Sequence, residues 1–136
     1  AKAGFVCPVI AHPTAHIDPS AVIEAGSLVL AQSYISGNAK VGPGSLINNS
    51  VVVSHDCILG ACVNVSPGAM LAGDVEVGDF TQIGMNVTVN IGVKIGKACL
   101  IGNGATIKKN VPDGTRIYAG SIWPAYEPKP EKTVIL

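Results

Sequence analysis

Aromatic residues are nearly absent from this 136-residue sequence, which has two Phe, three Tyr and one Trp. A core assembled around large rings is therefore excluded, and a narrow interior is implied. Charge imbalance is absent as well. Nine basic residues face nine acidic ones, so no electrostatic footprint points to nucleic acid or to an anionic membrane. No apolar run approaches the roughly 18–20 residues that a membrane helix needs. No signal peptide is visible, and a cytoplasmic protein is expected. The four cysteines follow neither a disulfide nor a zinc spacing. Reduced thiols are expected, with Cys57 and Cys99 acting as compact hydrophobes, Cys62 on a corner and Cys7 in a lead-in. The length fits one domain.

What the sequence does have is rhythm. From Ile17 to Ile107 an aliphatic residue returns at every sixth position, sixteen times in succession. Two residues before each stands a small or compact one, such as Ala21, Ser27, Cys57 or Ala105. Period six fits neither an α-helix at 3.6 nor a simple strand at 2. It is the mark of a hexapeptide β-helix, in which three short strands make one triangular coil. Residues eighteen apart should then stack at one strand spacing, about 4.8 Å. With the aliphatic position written i, residues i and i−2 face inward and the chain turns at i+1 to i+3. Glycine at i+1 and i+3, and Asn38, Asn86 and Asn110 at i+3, suit such corners. The expectation is an all-β parallel β-helix of about five coils over residues 15–110. Residues 1–14 form a lead-in. The turn Val111-Pro112-Asp113-Gly114 opens a tail, residues 111–136, expected to be extended through Pro124, Pro128 and Pro130 and to pack on a neighbouring chain.

One column of this lattice carries chemistry. His55 is the only histidine within the well-formed coils, at i+2 after Val53. Its stacking partners are Pro19 and Gly37 on one side, and Gly73, Ile91 and Lys109 on the other. A histidine can take the proton of an incoming amine or hydroxyl. A glycine N–H beside it can bind the oxyanion of a thioester under attack. The arm of coenzyme A could run along the edge, with Lys108 or Lys109 meeting its phosphates, and Asp56 could orient the imidazole. A plainer reading stands beside each of these roles. His55 could be a surface corner residue, Asp56 and Asp74 turn residues, Gly84 and Gly102 corner residues, and Lys108-Lys109-Asn110 a solvated end.

The stretch from His12 to Ile117 resembles the hexapeptide-repeat acetyltransferases that modify sugars. It looks closest to the branch containing sialic acid O-acetyltransferases and nucleotide-linked amino-sugar N-acetyltransferases. The resemblance is carried by Val53-Ser54-His55-Asp56-Cys57-Ile58-Leu59-Gly60, Ser66-Pro67-Gly68-Ala69, Ile101-Gly102-Asn103-Gly104-Ala105-Thr106 and Val111-Pro112-Asp113-Gly114. It implies a left-handed solenoid and a homotrimer with active sites between chains. His55 would be the general base, assisted by Asp56, and Gly73 would offer its amide to the thioester carbonyl. Asn48 would line the same pocket, and acetyl-CoA would lie along Gly84, Gly102, Ala105 and Lys109, with no metal in catalysis. Asn64 stands where many relatives have a second histidine and is counted with the substrate-binding residues. The closing run Gly120-Ser121-Ile122-Trp123-Pro124 replaces the relatives' Gly-Asn-Pro-type turn. Relatives usually begin with a small nucleotide-binding α/β domain. Nothing in this chain corresponds to it, so either a fragment or a stand-alone transferase is expected.

The expected activity is therefore transfer of an acetyl group from acetyl-CoA to the amino group of a nucleotide-linked sugar. The alternatives are transfer to a sugar hydroxyl and a non-catalytic trimeric scaffold. A zinc hydratase on the same fold would need three converging imidazoles. His12, His16 and His55 fall on different columns.

Overall fold

A computed structural model of the chain describes residues 3–127. Every strand in it is two residues long, and the strands form three parallel sheets, the faces of a triangular prism. The first face stacks Ile10–Ala11, Leu28–Val29, Leu46–Ile47, Asn64–Val65, Gln82–Ile83, Leu100–Ile101 and Arg116–Ile117. The second runs from His16–Ile17 to Ile122–Trp123, and the third from Val22–Ile23 to Lys94–Ile95. Pairing follows the eighteen-residue step through most of the stack: Ile17 pairs with Ile35, Val41 with Leu59, and Val65 with Ile83.

The six-residue beat makes this shape because alternate residues of each short strand point inward. Ile35, Ile47, Val53, Ile83 and Ile107 are all fully buried. Each contributes about 1.5–3 kcal/mol relative to an exposed side chain. The compact partners at i−2 do more than fill space. Ser27 Oγ donates to Gly42 O (3.0 Å), Ser45 Oγ to Gly60 O (3.1 Å) and Thr81 Oγ1 to Gly96 O (2.7 Å). Cys57 and Cys99 are buried compact residues, as expected, and they use their thiols in the same way on Ala72 O and Pro112 O. Corner carbonyls that would be orphaned inside the prism are satisfied from within.

The corners turn because the residue at i+3 adopts a left-handed conformation. Gly26, Gly44, Gly68, Gly92 and Gly104 do so, and so do Asn38, Asp56, Asp74 and Asn86. Asn110 was expected among them and is not; the chain takes a shorter path there. Val111 bridges Ile95, and Ile117 and Trp123 pair with Ile101 and Ile107, a step of sixteen residues in place of eighteen. Two residues are missing from the corner after Ile107, and Asn110 braces the short cut. Its Oδ1 accepts from Lys94 N (2.8 Å), and its carbonyl accepts from Trp123 Nε1 (3.0 Å).

The stack therefore runs past residue 110, where a tail was expected to begin. Val111 and Ile117 are buried, and Trp123 packs against the end of the core. At the other end the lead-in already contributes a strand, Ile10–Ala11 on Leu28–Val29. The seven strands of the first face span six coil steps, one more than the repeat count implied. Pro128 and Pro130, and the expected packing of the tail on a neighbour, lie outside the described residues.

Candidate active site

The edge joining the second and third faces carries Gly37, His55, Gly73 and Ile91 in successive coils, with Lys109 in the shortened corner beside Ile91. His55 Nδ1 lies 2.9 Å from Asp56 Oδ2. A carboxylate only accepts, so Nδ1 is the donor of this bond, and in the neutral ring that leaves the Nε2 lone pair free. Asp56 sits in the left-handed corner conformation (φ 60), which aspartate tolerates better than most residues. Both side chains are about half exposed, 57% for His55 and 47% for Asp56.

The imidazole leans over the next coil. A Cβ added at Gly73 would lie 2.5 Å from both Cε1 and Nε2 of His55. The ring thus occupies the volume that any side chain at 73 would need, and it does so with the edge that bears the free lone pair.

Gly73 itself is buried beneath that ring, and its backbone N–H is uncapped. At three other corners the N–H of the equivalent residue is capped by a side chain from the next coil. Asp79 Oδ1 takes Ala61 N–H (2.9 Å), Asn103 Oδ1 takes Met85 N–H (2.9 Å) and Asp113 Oδ1 takes Lys97 N–H (2.7 Å). Above Gly73 the corresponding residue is Ile91, which has no acceptor. Among the described residues Gly73 N–H donates to nothing. A base with a free lone pair and an unpaired amide donor therefore stand side by side, which is the minimum equipment for attack on a thioester carbonyl.

The other residues singled out in the sequence divide between edges. Lys108, Lys109 and Ile91 line a groove of about 500 Å³ on the His55 edge, beyond Gly73. Asn48, Gly84 and Gly102 stand on a different edge, between the first and second faces. Gly84 and Gly102 line a groove of about 430 Å³ with Asn103, Arg116 and Tyr118. The Arg116 guanidinium lies 5.7 Å from the Tyr118 ring centroid. Asn64 faces outward on the first face between Leu46 and Gln82, and its Oδ1 is buried without a partner. Ala105 is wholly buried, its N–H donating to Gly102 O and its carbonyl accepting from Thr88 N–H, so it offers no free group to a ligand. Within one chain, then, Asn48 and Asn64 do not join His55 in a single pocket.

Two features escaped the sequence reading. Arg116 was hidden because the shortened coil pairs it with Leu100 at a step of sixteen; the eighteen-residue rule points to Tyr118 instead. Asp74 was visible, one coil above Asp56, but was read as a turn residue. One potential ligand atom from each of His55, Asp56 and Asp74 lies within 4.8 Å of the others, a spacing that a small cation could also bridge. No other histidine joins this group. His12 bonds Thr14 at 2.9 Å, and His16 stacks on Tyr34 with centroids 4.7 Å apart.

Residues 74–109 match the family described as bacterial transferase hexapeptide (six repeats). The fold is similar to the acetyltransferase domain of PglB from Neisseria gonorrhoeae FA1090 in complex with acetyl coenzyme A. The TM-score is 0.85 with 35% identity, over 87% of this chain and 58% of that one. It is similar to PerB from Caulobacter crescentus in complex with CoA and GDP-perosamine, at TM-score 0.84 and 34% identity over 85% and 56% of the two chains. WeeI from Acinetobacter baumannii AYE matches at TM-score 0.67 and 29% identity, over 79% and 50%. The chain spans only half or slightly more of the length of each of these proteins.

Proposed function

From the premise that this chain is a hexapeptide-repeat protein folded like sugar acetyltransferases, we propose that it transfers the acetyl group of acetyl-CoA to the amino group of a sugar. The observation that carries this reading is the pairing of His55 with Gly73: a base held by Asp56, with an unpaired amide beneath its ring. In the proposed reaction His55 Nε2 takes a proton from the acceptor amine as nitrogen attacks the carbonyl carbon. The Gly73 N–H stabilises the oxyanion. When the C–S bond breaks, the imidazolium returns the proton to the departing thiolate, and Asp56 holds the imidazolium in place meanwhile.

The split between edges supports a site shared by two chains of a homotrimer. His55 and Gly73 would come from one protomer, and the Gly84–Gly102 groove with Asn48 from its neighbour. Arg116 in that groove has no acidic partner among the described residues. It offers a fixed cation to the coenzyme phosphates, and Lys108 and Lys109 offer a second set on the other edge. A nucleotide-linked amino sugar as acceptor is supported by the GDP-perosamine bound to the Caulobacter protein. Among the described residues no helix is long and apolar enough to cross a membrane, which fits a cytoplasmic enzyme using a cytoplasmic coenzyme.

The test is His55→Ala. Turnover should fall by roughly 10²–10⁴, the usual worth of a positioned base, while circular dichroism shows an unchanged β-helix. Activity near that of the wild type would end the assignment. Failure of the wild-type chain to bind acetyl-CoA in calorimetry would favour the scaffold reading.

A further inference from the structure

The backbone of Asp74 explains only half of that residue. It makes a corner at φ 59, and its N–H donates to His55 O at 3.0 Å. A glycine makes the equivalent corner at Gly92 and Gly68 with less strain. The side chain is what the corner does not require. Its carboxylate makes no hydrogen bond or ion pair among the described residues, yet it lies within 4.8 Å of both a His55 ring nitrogen and an Asp56 oxygen. The paired lysines of the described chain, Lys94 and Lys97, are engaged with Glu76 and Asp79 elsewhere. The base thus stands beside two carboxylates, one bonded to Nδ1 and one free.

We infer that Asp74 holds the ammonium form of the acceptor, making the site selective for an amine over a hydroxyl. The inference rests on the acetyl-transfer reading, and the site itself stands on His55 and the free Gly73 N–H rather than on the acids. A hydroxyl acceptor is neutral and gains nothing from a second carboxylate, whereas a sugar ammonium gains a charge-assisted hydrogen bond. The proton balance is consistent with this placement. The bound ammonium releases one proton to solvent, and the resulting amine attacks the thioester. His55 removes the second proton and delivers it to the thiolate, so that amide, free thiol and one solvent proton result.

Asp74→Asn keeps a residue that tolerates the left-handed corner and removes the charge; Asp74→Glu keeps the charge. GDP-perosamine and acetyl-CoA serve as probes, each followed by steady-state kinetics and calorimetry. In Asp74→Asn the KM for GDP-perosamine should rise at least roughly tenfold, the usual worth of a hydrogen bond to a charged group. The KM for acetyl-CoA should stay unchanged, and Asp74→Glu should recover part of the loss. An unchanged acceptor KM in Asp74→Asn overturns the inference. So does a parallel rise in the KM for acetyl-CoA, which would mark a structural role, or loss of wild-type activity in EDTA, which would give the carboxylates to a metal. A wild-type chain that binds acetyl-CoA but neither binds nor acetylates GDP-perosamine overturns the inference alone. One that fails to bind acetyl-CoA overturns the proposed function beneath it.

Discussion

The imidazole of His55 occupies the space above Gly73, so closely that a Cβ there would lie 2.5 Å from its Nε2. Neither residue can change without disturbing the other.

Gly73→Ala should therefore act as a mutation of the histidine. The methyl group must displace the ring, because the Gly73 backbone is fixed between coils. Turnover should drop by about 10²-fold or more, comparable to losing the positioned base. Gly73 has no left-handed φ, so the thermal midpoint should move little. An active Gly73→Ala enzyme would contradict the close approach.

Asp56 combines a catalytic hydrogen bond with a left-handed corner, and two substitutions separate these. Asp56→Asn keeps the corner, so stability should hold while activity falls at least ~10-fold as the imidazole loses its anionic partner. Asp56→Ala should lose activity and also about 1 kcal/mol of stability from an alanine forced into that conformation. Urea midpoints at constant slope distinguish the two.

Thr81 is wholly buried, and its hydroxyl donates to Gly96 O (2.7 Å) and accepts from Cys99 N (3.0 Å). Thr81→Val preserves shape and strands both backbone partners. A loss of about 2–3 kcal/mol is expected. Thr81→Ser should lose much less, and equal losses would assign the effect to packing.

Burial pushes the Cys57 thiol above its ordinary value of 9.0. The folded state therefore keeps a proton that the unfolded chain releases. The corresponding stability is present at neutral pH and drains away as pH climbs beyond that ordinary value. Cys57→Ala should flatten this alkaline decline in unfolding midpoints recorded between about pH 8 and 10. A thiol reagent should modify exposed Cys7 and Cys62 in the native protein, reaching Cys57 and Cys99 only on unfolding.

How far the sequence could be read depended on whether its period held. Ile17 through Ile107 and the stacking of Gly73 on His55 followed from counting alone, because every intervening hexapeptide is complete. The same arithmetic failed beyond Ile107. The missing two residues shifted Val111, Ile117 and Trp123 into register and moved Arg116 into the Gly84–Gly102 groove. Counting also could not show hydrogen bonds. The cross-corner bonds of Ser27, Ser45 and Thr81 and the unpaired N–H at Gly73 depend on which side chain reaches across from the next coil. Asp74 sat in the correct column, but its free carboxylate needs atomic positions to be recognised.

The shortened final coil has a further consequence. A parallel stack has two raw ends, each a row of unspent backbone donors and acceptors on which another copy could grow. Drawing the chain in by two residues brings Trp123 over Ile107 and binds its indole to Asn110, placing a bulky plug where the next rung of a growing fibre would have to dock. The one tryptophan of an aromatic-poor sequence thus acts as a full stop, ending a pattern that could otherwise continue from molecule to molecule.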